Sequence, residues 1–160
     1  MNKMIRKFIK NKKQKGSSMI EILIATGVVG LVMTAVASGL VLSVKNSAIS
    51  KYKVLSATRA QEAMEVFRRE KVLLGWAQFY ESLSANTYCV NTLASDSAQF
   101  KAMETGACSD GDFIAGTSFT REALVNITSP DEIRVEIVVD WLDGDIQRNS
   151  NLIQEFKQYE

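Results

Sequence analysis

From Ile22 to Val44 the chain runs for twenty-three residues without a charged side chain. At about 1.5 Å of rise per residue, a helix of that length reaches roughly 34 Å, enough to cross a hydrocarbon core of about 30 Å. The run therefore reads as a membrane-spanning helix, and the rest of the 160 residues leaves room for one small globular domain.

Charge fixes the expected direction of crossing. Lys3, Arg6, Lys7, Lys10, Lys12, Lys13 and Lys15 precede the run, with no acid among the first sixteen residues. Only Lys45, Lys51 and Lys53 follow it closely. The positive-inside bias then predicts a cytoplasmic N-terminus and an exported remainder. The net charge of +1 describes neither part, because residues 17–160 hold 12 basic against 18 acidic side chains. A basic cluster confined to a tail, and not spread over a folded face, argues against a nucleic-acid surface.

The chain has no His. That removes the commonest general base, the Ser-His and Cys-His nucleophile pairs and most catalytic zinc sites. No G-x-x-x-x-G-K-[ST] phosphate loop is present either. The reading is a protein that is not an enzyme, with no cofactor and no metal.

Between Lys45 and Leu74 no Gly or Pro interrupts a composition rich in helix formers, so the helix is expected to continue. Ile49, Tyr52, Leu55, Ala63, Val66, Phe67 and Leu74 can share one stripe, with a gap near Arg59. The charge run from Glu65 to Lys71 reads as a solvated face. Gly75 is the expected stop. Beyond it, Arg134 to Trp141 alternates as a half-buried strand, with Val135, Ile137, Val139 and Trp141 inward. Asp143-Gly144 signals a tight turn, with Asn151 to Phe156 returning as the antiparallel partner. Phe119 to Ile127 reads as a further strand ending near Pro130, and Ser84 to Gly116 as mostly loop. The expected fold class is α+β, one long N-terminal helix on a small antiparallel sheet. Its segments are a basic leader (1–16), an apolar transmembrane helix (17–44), an amphipathic continuation (45–74) and a β domain (75–160).

Cys89 and Cys108 fall in the loop region. In an exported domain the two most simply form a disulfide; two free thiols are the alternative.

The most informative string is Lys15-Gly16-Ser17-Ser18-Met19-Ile20-Glu21-Ile22-Leu23-Ile24-Ala25. An ionised Glu21 at the edge of an apolar run costs several kcal/mol unless something pairs with it. No Lys or Arg follows it for more than twenty residues. The string resembles the class III signal of type IV pilins and type II secretion pseudopilins, in which a basic leader ends in Gly and the fifth mature residue is Glu. The resemblance implies cleavage between Gly16 and Ser17 by a prepilin peptidase, with N-methylation at Ser17. It implies that the new amine of one subunit meets Glu21 of its neighbour, so that Glu21 sets the register of assembly. The implied partners are other pilin or pseudopilin subunits, an inner-membrane assembly platform and the membrane itself. The implied location is the inner membrane, then an extracellular pilus or periplasmic pseudopilus. Helix followed by sheet, the Tyr88-Cys89-Val90 segment and the Val-rich strand look like minor pilins of the PilV type or pseudopilins of the I and J kinds. Ser17 departs from the family's usual Phe, and the apolar helix lacks the proline of many major pilins, Pro130 being the chain's only one.

Two other readings compete. Ala35-Val36-Ala37 has the small-x-small form of a signal peptidase site, which would release a soluble protein starting at Ser38. An uncleaved single-pass anchor holding an exported binding domain is the third.

Overall fold

The computed structural model describes residues 17–159, and its contacts divide the chain between Asn46 and Ser47 into two units. Helix α1 spans Ser17–Glu81 and contributes to both. The second unit adds β1 (Thr87–Cys89), α2 (Ser97–Lys101), β2 (Thr120–Ser129), β3 (Glu132–Asp143) and β4 (Ile146–Lys157). The four strands form one antiparallel sheet in sequence order, β1-β2-β3-β4. The architecture is α+β.

Alternation in sequence becomes two faces in the sheet, because successive side chains point to opposite sides. Arg121, Ala123 and Val125 of β2 are buried, as are Ile133, Val135, Ile137, Val139 and Trp141 of β3. Register brings them together: Ala123 opposes Ile137, Val125 opposes Val135, and Ile133 opposes Phe156. Each Val, Ile or Phe among them contributes roughly 1.5–3 kcal/mol when fully buried. The β3–β4 connection is the two-residue loop Gly144–Asp145, with Asp143 paired to Ile146. Gly144 sits at the first central position with φ 65°, where a hairpin turn favours glycine.

The part of α1 after Ser47 covers the inner face. Its buried positions are Ser56, Ala60, Ala63, Met64, Val66, Phe67, Glu70 and, past Gly75, Phe79. This differs from the expected stripe in two ways. Tyr52 and Leu55 are each 38% exposed, while the small residues Ser56 and Ala60 take the inward places. Ser56 keeps its hydroxyl on the Lys53 carbonyl at 2.9 Å. The second difference is Glu70, which is fully buried although the charge run around it reads as a solvated face. Its carboxylate accepts from the Ser97 hydroxyl and from Arg69 Nε, and these bonds make its burial tolerable.

Gly75 does not end α1. It has φ 68° and ψ 167°, a non-helical conformation open to glycine, and helix resumes through Glu81. The reason is aromatic. Phe79 is fully buried, stacked on Phe100 at 5.9 Å and tilted against Phe156 at 5.5 Å, while Phe67 meets Phe100 edge-on at 5.3 Å. A redirected last turn delivers Phe79 into that cluster. The stretch read as mostly loop contains β1, which pairs with Glu122–Leu124, and the short α2, started by Asp96 accepting from the Gln99 amide. Three and five residues are too short for periodicity to reveal.

Candidate functional site

The first unit is the helical stretch up to Asn46, and its surface is its chemistry. Every large apolar side chain from Met19 to Val44 is more than half exposed. The helix is long and apolar enough to cross a membrane, and none of its most apolar window is buried. Within its own unit the helix meets no core that would account for its composition. A continuous apolar surface of this size is strongly unfavourable in water and calls for lipid or other apolar helices.

Three of its hydroxyls are satisfied internally. Thr26 Oγ1 donates to the Ile22 carbonyl at 2.9 Å, Thr34 Oγ1 to Leu31 at 2.9 Å, and Ser38 Oγ to Thr34 at 2.8 Å. Such back-bonding is what a polar group needs in a medium without water. Glu21 has no equivalent device. It is exposed, and among the described residues it has no ion-pair or hydrogen-bond partner. The leader 1–16, Gly16 included, lies outside the described residues; the backbone of Ser17 belongs to α1.

In the second unit Cys89 and Cys108 are joined, with Cα atoms 4.8 Å apart. Asp112 lies against the pair, its Oδ2 3.4 Å from Cys89 Sγ. These three are the described residues whose ligand atoms cluster as a metal site would require. With both sulfurs in a disulfide, neither is a thiolate, and the group is a poor metal ligand set. The loop is further held by the Cys108 amide donating to Glu122 Oε1 at 2.8 Å and by Asn91 Nδ2 donating to the Asp112 carbonyl at 2.6 Å.

The sequence reading missed Arg121, which is 1% exposed. Its Nε donates to the Val90 carbonyl at 2.9 Å, Nη1 to the Arg59 carbonyl at 2.8 Å and Nη2 to the Asn91 carbonyl at 3.3 Å. Burial pulls its pKa down to about 10, opposed by the Glu62 carboxylate 3.5 Å away, so it stays charged at neutral pH. It ties β2, the segment after β1 and the helix into one body. A signal was present, since Arg121 shares inward parity with Ala123 and Val125.

No family model, curated protein or solved structure matches this chain.

Proposed function

We propose that this chain is a structural subunit, a minor pilin or pseudopilin, of a type IV pilus or a related type II secretion-like filament. The observation that carries the reading is Glu21: a carboxylate without a partner among the described residues, bordering an apolar helical run whose large side chains are more than half exposed. An isolated chain cannot satisfy it at acceptable cost in lipid. A neighbouring subunit can, if cleavage between Gly16 and Ser17 leaves an amine at the head of its own helix. The pairing of opposite charges then selects one register as the Ile22 to Val44 surfaces bundle.

In this reading the basic leader holds the N-terminus in the cytoplasm, and a prepilin peptidase removes it and methylates Ser17. An inner-membrane platform then moves the subunit into a filament. The disulfide suits the oxidising space that the exported domain would enter. An α+β unit behind an apolar helix supports the reading as architecture.

The test is intact and N-terminal mass spectrometry on protein from its native host, with and without the host's prepilin peptidase. A peptidase-dependent start at Ser17 is expected. A start at Ser38 would establish an ordinary secreted protein, and stable chain starting at Met1 an uncleaved anchor.

A further inference from the structure

Ala48, Lys51, Tyr52 and Leu55 follow one another at helical spacing and form one wall of an open groove of about 640 Å³; Gly116 to Phe119 form the other. The groove lies within the second unit. Its floor is aromatic, with the buried Phe119 ring 5.9 Å from that of Tyr52. Tyr52 and Leu55 remain well exposed, which a side chain in a completed core would not be. Lys51 is exposed and, among the described residues, has no ion-pair partner. No carboxylate lines the groove.

Charge along α1 says what kind of ligand fits. From Ile22 to Gln61 the chain has no acidic residue, while Lys45, Lys51 and Lys53 fall within nine positions of one another. The groove's helical wall begins four residues after Val44, where the apolar run ends. An apolar trough with an aromatic floor, a lysine at its rim and no acid favours an amphipathic anion. Tyrosine and lysine at this place in a membrane helix are the side chains suited to the headgroup layer.

We propose that the groove holds an anionic phospholipid of the membrane that α1 enters. The phosphate sits on Lys51, and the glycerol and first methylenes lie against Tyr52, Leu55 and Phe119. The inference rests on reading α1 as a membrane anchor, and it adds a specific lipid contact to the exported side of that anchor.

The experiment titrates the full chain, purified in a non-ionic detergent, with dihexanoyl phosphatidylglycerol and separately with dihexanoyl phosphatidylcholine, followed by calorimetry. Saturable binding of the phosphatidylglycerol, with clear preference over the phosphatidylcholine, is expected. Lys51→Gln should weaken it about fivefold, the amount one lysine near an anionic surface contributes. Leu55→Ser should weaken both lipids, and Lys101→Gln, remote from the groove, should change neither. Equal binding of the two lipids, or equal losses in Lys51→Gln and Lys101→Gln, would overturn the proposal by leaving only diffuse attraction. Near-ultraviolet circular dichroism of each variant checks that the fold is kept. N-terminal mass on the same preparation, made in the native host with its prepilin peptidase present, separates the two readings. An uncleaved chain that binds phosphatidylglycerol refutes the filament subunit alone, and a chain cleaved at Ser17 that ignores the lipid refutes the groove alone. A native protein starting at Ser38 refutes both.

Discussion

The guanidinium of Arg121 in β2 donates to the main-chain carbonyl of Arg59 in α1 at 2.8 Å, across sixty-two residues of sequence. A mid-helix carbonyl already serves its own helix, so the bond is an added tie between helix and sheet. Two further carbonyls, those of Val90 and Asn91, depend on the same side chain. Arg121→Met keeps length and apolar bulk but leaves those carbonyls without this donor and Glu62 without its second cation. The expected cost is about 2–4 kcal/mol, a fall in Tm on the order of 10 °C by thermal denaturation. A variant within 1–2 °C of the parent would mean that water replaces the guanidinium.

Removing the disulfide should be felt in the same measurement. Cys89 and Cys108 are separated by nineteen positions, and a loop of about that size is stabilised by roughly 3 kcal/mol on closure. The double variant Cys89→Ser/Cys108→Ser is expected to melt well below the parent. The parent in excess reductant should approach it, since both lose the same constraint.

Asp140 supplies a pH dependence. Burial raises its carboxyl above the usual carboxylate range, and the nearby Glu122 pushes in the same direction, against the hydrogen bond from Gln147 Nε2 at 3.4 Å. A carboxyl with a raised folded pKa binds its proton more tightly in the folded state than in the unfolded one. Its favourable contribution is complete below the unfolded value, about 3.9, and is lost as pH rises through the folded value. Asp140→Asn should therefore be more stable than the parent at pH 7, with the advantage shrinking towards pH 3. Paired melting curves across that range test it, and an advantage independent of pH would assign the gain to something other than ionisation.

Glu21 is the assembly prediction. Glu21→Gln leaves length, helix and apolar surface intact and removes the charge, so membrane insertion and processing at Ser17 should be unchanged. Incorporation into filaments, measured by immunoblot of sheared or isolated filaments against total protein, should fall severalfold or more. Normal incorporation would remove the role in register.

Much of this architecture is legible in residue order because it is built from local periodicity. The uncharged run from Ile22 to Val44, the alternation from Val135 to Trp141 and the Asp143-Gly144 turn each follow from rules acting within a few residues. Helix and strand propensity, burial parity and turn chemistry agree along these stretches. The unpartnered Glu21 is legible for the same reason, since a charge at the edge of an apolar run stands out without any fold.

What only the tertiary structure decided concerns residues whose environment comes from distant parts of the chain. Gly75 redirects the helix without ending it, because Phe79 has Phe100 and Phe156 to pack against. Glu70 is buried because Ser97 and Arg69 bond to it, and Tyr52 lies open because Ser56 and Ala60 take the helix's inward places. Arg121 lies inside because three carbonyls from two other segments converge on it. Local sequence sets which face a side chain presents; the groups brought to that face by folding set whether a polar side chain can stay there, since burial is tolerable only where hydrogen-bond partners arrive.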